Sequence, residues 1–138
     1  MPLSMLEKQR EGILKKIESL GDMRSGCISV RFQKCGKPRC VCHSPGHAGH
    51  GPIYSYSTLV GGKTQIRNYK PGPELEKLRK ETQNYQTFKE LSEELIGTSN
   101  KICDLRPVPV IEDNELEALK KKLRQLFMKK YKKRLSGS

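Results

Sequence analysis

The chain has 138 residues, a formal net charge of +12 and an apolar fraction of 34%, with no Trp. This length allows one domain, or a small domain with helical appendages, and leaves little apolar material for a core. No apolar run is long enough for a secretory signal or a membrane span, so we expect a cytoplasmic protein with no membrane partner.

The first predicted element is a helix over residues 4–20. Ser4 and Glu7 fit a capping box, and apolar residues recur at three- and four-residue steps along the segment. Gly21 ends the pattern and is a natural stop. The sequence therefore predicts an amphipathic helix at the start of the chain.

The segment CISVRFQK, residues 27–34, alternates between apolar and polar positions. This period of two is typical of a strand. Ile28, Val30 and Phe32 share one side, which we expect to pack inward, and Arg31 lies on the other side, which we expect to face solvent.

Two β-rich runs follow, IYSYSTLV at 53–60 and KTQIRNY at 63–69. Gly61 and Gly62 separate them and suit a two-residue turn that requires positive φ angles. The sequence therefore predicts a β-hairpin.

Two more helices complete the prediction. Pro73 can begin a helix over 73–96, whose apolar residues recur at helical spacing, and Gly97 is a plausible C-cap. The proline-containing segment 98–114 is interpreted as a linker, and Asn114 can cap a last helix over 115–134.

Together these elements predict an α+β fold: a small antiparallel sheet with a zinc-binding loop, an N-terminal helix, a long central helix and a basic C-terminal helix. We divide the chain into a zinc-stapled α+β domain at 1–97, a linker at 98–114, and a basic amphipathic helix and tail at 115–138.

The loop KCGKPRCVCHSPGHAGHGP, residues 34–52, concentrates three cysteines and all three histidines of the chain. In a reducing compartment, cysteines at such short spacing indicate metal ligation rather than disulfides. Three thiolates and one imidazole match a closed structural zinc site. The predicted ligands are Cys35, Cys40, Cys42 and His50, with His47 as an alternative fourth ligand and His43 sterically awkward beside Cys42.

The remaining thiols, Cys27 and Cys103, are expected to be small buried or half-buried residues. The cations Lys34, Lys37 and Arg39 lie within the loop. They can offset the negative charge of three thiolates on zinc, or contact phosphate.

The motif ISVRFQKCGKPRCVC, followed by HGPIYSY and GGK, resembles a family of small prokaryotic proteins often encoded beside transposases or in other mobile elements. The resemblance covers about residues 20–97. It implies the same cluster of Cys35, Cys40, Cys42 and His50, and a setting close to a recombinase or a nucleoprotein complex. Ile53 departs from the aromatic residue expected after Gly-Pro, and residues 98–138 have no counterpart.

Two blocks carry the positive charge: residues 24–73 hold eight Lys or Arg and residues 119–138 hold nine, and neither block contains an acidic residue. Such fields favour phosphate contact, which predicts DNA or RNA as a partner. The candidate nucleic-acid-binding residues are Arg31, Lys34, Lys37, Arg39, Lys63, Arg67, Lys120, Lys121, Lys122, Arg124, Lys129, Lys130, Lys132, Lys133 and Arg134.

An enzyme is not expected, because the sequence has no phosphate-cradling glycine motif and no acidic residue near the metal loop to act as a base. The alternative function is a protein-interaction adaptor or oligomerising subunit, since the apolar stripes of helices 73–96 and 115–134 can grip a larger effector or a second copy.

Overall fold

The computed structural model describes residues 1–137 and has three helices and one three-stranded antiparallel sheet. This arrangement confirms the predicted α+β class. In chain order the elements are α1 (Leu3–Glu18), β1 (Cys27–Gln33), a 3-10 turn (Val41–His43), β2 (His50–Val60), β3 (Lys63–Tyr69), α2 (Pro73–Leu105) and α3 (Asp113–Ser136).

Helices α1 and α2 pack together as a pair and provide most of the core. Met1 and Leu6 lie beside Lys101 and Leu105, so the start of α1 meets the end of α2 and the two helices run antiparallel. The buried positions recur at helical spacing, which keeps one stripe of each helix against the other. They are Leu6 and Ile13 in α1, and Leu78, Thr82, Leu91, Thr98 and Ile102 in α2.

The sheet has the order β1-β2-β3, with β2 at its centre. Val60 pairs with Lys63 across the predicted Gly61-Gly62 turn, and both glycines have positive φ, at 56° and 80°. These angles match a tight hairpin turn that other residues adopt only with strain. The hairpin prediction is therefore confirmed.

The segment between α1 and β1 is tied to α2 by backbone and side-chain hydrogen bonds. The N–H of Arg24 donates to the carbonyl of Glu81 at 3.1 Å, and the side-chain amide of Asn84 donates to the carbonyl of Asp22 at 2.8 Å. These bonds fix the start of β1 relative to α2.

Several predicted helix ends are wrong. Helix α2 continues through Gly97 to Leu105, so the first eight residues of the predicted linker, 98–105, are helical. Buried Thr98 and Ile102 explain the extension, because their packing outweighs the modest helix penalty of one glycine.

The predicted caps are also wrong. Helix α1 begins after Pro2, which places Ser4 inside the helix without a capping hydrogen bond. Helix α3 begins after Glu112, and Asn114 lies in its first turn. Both helices start earlier than the polar side chains suggested.

Two burial predictions are wrong, one for the far part of β1 and one for the lone thiols. Val30 and Phe32 are 57% and 50% exposed, because the helices cover little of the far part of β1. Cys27 and Cys103 are both exposed rather than buried.

Residues 1–105 form one compact unit, and residues from Arg106 onward form a second. The second unit consists of an extended segment and α3, in which no residue is buried. Among residues 1–137, no helix combines the length and apolar character that crossing a bilayer requires.

Candidate metal centre

The cysteine and histidine loop connects the end of β1 to the start of β2. Gln33 pairs with His50 at this end of the ladder, so the two points where the loop leaves and rejoins the sheet are neighbours. Cys35 follows β1 by two residues, and His50 is the first residue of β2. Pairing of β1 with β2 therefore places Cys35 and His50, two of the four predicted ligands, close together at the two ends of the loop.

Gly49 allows the loop to return closely along β1. It is buried, its φ is +109°, and a Cβ there would lie 2.8 Å from the carbonyl carbon of Gln33. Neither the backbone angle nor the space suits a larger residue. The loop therefore requires glycine at position 49, which the sequence analysis did not predict. The signal in the sequence was a glycine directly before the ligand His50.

Successive tight turns shape the rest of the loop. The N–H of Cys40 donates to the carbonyl of Lys37, that of His43 to Cys40, and that of Ser44 to Val41, at 3.1, 3.1 and 2.9 Å. These turns wrap the chain so that Cys40 and Cys42 both face Cys35. Short loops of this type orient several ligands with little backbone length.

The ligand atoms of Cys35, Cys40, Cys42 and His50 all lie within 4.8 Å of one another. The sulfurs of Cys35 and Cys42 are 3.6 Å apart, and the Cys40 sulfur is 3.1 Å from Nε2 of His50. Tetrahedral zinc with metal–sulfur bonds of about 2.3 Å holds its ligand atoms about 3.8 Å apart. These four residues are close enough to hold one metal ion.

Burial differs across the cluster. Cys42 is 0% exposed, Cys35 and Cys40 are half-buried, and His50 is exposed. Burial raises the pKa of the Cys42 thiol, while the N–H of Cys35, 3.4 Å from its sulfur, acts in the opposite direction. A buried thiolate needs a compensating positive charge, which a bound metal ion provides.

Cys40 has the opposite tendency. The backbone N–H of Cys42, followed by hydrogen bonds with the Cys35 and Cys42 thiols and with His50, lowers the pKa of the Cys40 thiol to about 6. Cys40 is therefore readily deprotonated near neutral pH, and a thiolate is the form that binds metal.

The other two histidines of the loop make backbone contacts instead. Nε2 of His43 donates to the carbonyl of Cys35 at 2.8 Å, and Nδ1 of His47 accepts from the N–H of Gly49 at 2.9 Å. The geometry thus brings His50 into the cluster, and not His43 or His47. The sequence did not predict the hydrogen bond from His43 to Cys35. Its position beside Cys42 showed only that His43 is a poor candidate for the fourth ligand.

The predicted nucleic-acid-binding residues are all exposed, and they lie on several elements of the fold. Arg31, Lys63 and Arg67 lie on the sheet, and Lys34, Lys37 and Arg39 lie in the metal loop. The other predicted contacts lie on α3, in the second compact unit: Lys120, Lys121, Lys122, Arg124, Lys129, Lys130, Lys132, Lys133 and Arg134. The cations of residues 1–105 are themselves spread over the sheet: Lys63 begins β3 at the hairpin turn, whereas the metal loop adjoins the opposite end of β2.

Comparison with known proteins finds no match among curated proteins and none among solved structures. One family model, described as a domain of unknown function (DUF6788), matches residues 3–80. The matched region contains α1, the sheet, the metal loop and the first turns of α2. Because it covers more than half of the chain, the protein belongs to the DUF6788 family.

Proposed function

We propose that the protein is a non-enzymatic nucleic-acid-binding protein whose central loop holds a structural zinc ion. The observation that carries the proposal is the cluster of Cys35, Cys40, Cys42 and His50 within a loop whose exposed cations have no acidic neighbour in residues 24–73. A metal that fixes this loop also fixes the positions of its cations. Fixed cations bind phosphate groups with a smaller loss of side-chain entropy.

Zinc fits the ligand set better than other common metals. Thiolate sulfur and imidazole nitrogen suit zinc, whereas magnesium and calcium prefer oxygen ligands. Three thiolates and one imidazole complete a tetrahedral shell and leave no position for a reactive water. We therefore propose a stabilising role for the metal and no catalytic one.

The resemblance of the KCGK and HGP motifs to proteins of mobile elements supports a more specific role. In this role the protein is an accessory factor of a recombinase or of a nucleoprotein complex. The affinity for nucleic acid would then recruit the partner enzyme to its substrate, in the cytoplasm of a prokaryotic cell.

The proposal is tested by measuring affinity for duplex DNA over a range of salt concentrations with the full-length, zinc-loaded protein. If about six phosphates are neutralised, log affinity falls with log salt at a slope of about −5. Absence of binding to both duplex and single strands, or a flat salt dependence, would contradict the proposal.

Two charge-matched variants make this experiment specific. The first replaces four lysines of α3 by Gln and, if each contacts a phosphate, should reduce the steepness of the slope by about 3.6. The second removes the same charge outside the two basic blocks and should leave the slope unchanged. The first set is Lys129, Lys130, Lys132 and Lys133, and the second is Lys8, Lys15, Lys16 and Lys101.

A protein-interaction adaptor is the second candidate, favoured by α3. Its apolar stripe includes Leu123, Leu126, Phe127 and Tyr131, which are 41% to 65% exposed. Nucleic acid does not cover such a stripe, whereas the groove of a partner protein does. Light scattering that shows a strict monomer would argue against self-association through this helix.

A further inference from the structure

A cleft of about 690 Å³ opens on one face of the sheet, between β2, β3 and the segment that precedes β1. Ile28, Tyr56 and Arg67 are cross-strand partners, so the side chains of this row share a face. Arg31 lies at an odd offset from Ile28 and therefore points to the opposite face. Arg24 completes the cleft from outside the sheet.

The aromatic wall of the cleft is held in place. Tyr56 is buried, and its hydroxyl donates to the carbonyl of Ser25. The ring of Tyr69 meets that of Tyr56 edge-on, with centroids 6.4 Å apart and an interplanar angle of 77°. Two rings in a fixed geometry form a rigid apolar wall, which lowers the entropy cost of binding a flat ligand.

Two guanidinium groups line the same cleft, and no carboxylate does. The guanidinium carbon of Arg67 lies 5.4 Å from the ring centroid of Tyr69, so the ring orients this side chain. Arg24 contacts Glu81 through Nε at 3.4 Å, which engages one edge of a group with five N–H donors. Both planar cations are thus positioned by neighbours and retain donors for a ligand.

We infer that this cleft binds one nucleotide unit of a single-stranded nucleic acid, with the base against the Arg67–Tyr69 pair and the adjacent phosphate on Arg24. This inference rests on the proposed function and adds where, and in which form, the strand is bound. Flat bases stack on aromatic rings and on guanidinium planes, and Arg forms paired hydrogen bonds with phosphate. The cleft volume lies within the range of sites that enclose small molecules.

A single strand is favoured over a duplex because the ring wall lies inside a cleft. A paired base is stacked between its neighbours and cannot enter, whereas an unpaired base can leave the strand and stack on the protein. The side-chain amide of Gln65 also lines the cleft and can hydrogen-bond to the edge of an inserted base.

The test compares binding of a thymidine oligomer of about twelve nucleotides with binding of a duplex of equal length, at one salt concentration. It uses the full-length, zinc-loaded protein and reads fluorescence anisotropy. Arg67→Lys keeps the charge but removes the planar group, and should reduce the preference for the single strand about tenfold. Arg31→Lys, the same change on the opposite face, should shift both affinities together and leave their ratio intact.

The thermal unfolding midpoint of each variant verifies that the exposed substitution leaves the fold intact. Equal effects of the two variants on the ratio, or a wild-type protein without preference for the single strand, would overturn the inference and leave the proposed function standing. Thymidine 5′-monophosphate that binds as tightly as the oligomer would also overturn it, because the cleft would then be a site for free nucleotides. A wild-type protein that binds neither the single strand nor the duplex would instead contradict the proposed function itself.

Discussion

Glu81 shows how one carboxylate can hold two elements together. It lies on α2, its side chain is 13% exposed, and it accepts from Nζ of Lys77 at 2.6 Å while contacting Nε of Arg24 at 3.4 Å. The hydrogen bond from Lys77, with the nearby charges of Lys77 and Arg24, lowers the pKa of the Glu81 carboxyl below 4.5. Glu81 thereby links the segment that precedes β1 to α2.

The lowered pKa predicts how the contribution of Glu81 depends on pH. A carboxyl whose pKa is lower in the folded state stabilises the fold above its unfolded pKa of about 4.5, and this stabilisation is lost as pH falls through the folded pKa. Glu81→Gln should therefore unfold at a lower temperature than the wild type at pH 7, with a difference that shrinks below pH 4.5. Glu94→Gln, on the same helix, is the matched control. A difference that stays constant from pH 7 to pH 3 would show that the charge is not responsible.

Residue-level chemistry decided how well the site could be predicted. Three cysteines at short spacing predict a metal loop whatever the surrounding fold, because few other roles require such a cluster of thiols. The choice among His43, His47 and His50 depends on how the loop folds back on Gln33, and this involves the sheet register. Residue spacing therefore favoured His50 as the fourth ligand, and the folded loop places the alternative His47 outside the cluster.

At the scale of elements, Gly97 and Gly49 differ in whether the fold has room for a side chain. Gly97 lies within α2, is exposed, and a Cβ there would meet no atom within 4 Å. Gly49 is buried against Gln33 with a positive φ. One position tolerates a side chain, and the other does not.

This contrast predicts changes of opposite sign in the free energy of unfolding. Gly97→Ala should stabilise the protein by about 0.5–1 kcal/mol, because alanine lowers the entropy cost of forming the helix. Gly49→Ala should destabilise it by about 2 kcal/mol or more through strain and steric overlap. Chemical denaturation of the zinc-loaded protein measures both. Destabilisation by Gly97→Ala would mean that α2 does not continue through this residue.

The strand and hairpin periods were readable from sequence, whereas the ends of the helices were not. Gly97 suggested a stop, but Thr98 and Ile102 are buried and continue the stripe of α2. Their burial depends on packing between distant parts of the chain, which no local pattern specifies. For the same reason, the alternation of β1 was visible but the exposure of Val30 and Phe32 was not.

At the scale of the whole molecule, the core between α1 and α2 and the candidate metal loop lie in different parts of the fold. The buried residues of the helix pair lie on α1 and α2, whereas the loop buries Cys42 and Gly49. Structural zinc binding of about 10 kcal/mol or more is comparable to the whole stability of a small domain. Organisation of the loop and the adjoining sheet should therefore depend on metal.

Chelation of zinc, or Cys42→Ser, should abolish metal binding and disorder the loop and sheet while most of the helical signal persists. Elemental analysis should find one zinc per wild-type chain and none in Cys42→Ser. Circular dichroism follows the helices, and tyrosine fluorescence reports mainly on the sheet, which holds three of the five tyrosines: Tyr54, Tyr56 and Tyr69. Cys103→Ser, an exposed thiol outside the cluster, should retain zinc. Full zinc content in Cys42→Ser would remove the cluster from consideration as the metal site.

The position of β3 at the border of the sheet has a consequence for solubility. Within residues 1–137 its outer backbone edge pairs with no further strand, and such edges can join those of other copies into extended ribbons. Lys63 and Arg67 are positively charged residues of this edge strand. Repulsion between these charges on two copies opposes pairing of their β3 edges. Neutralising both side chains should therefore convert a dispersed protein into one that aggregates through its β-strands.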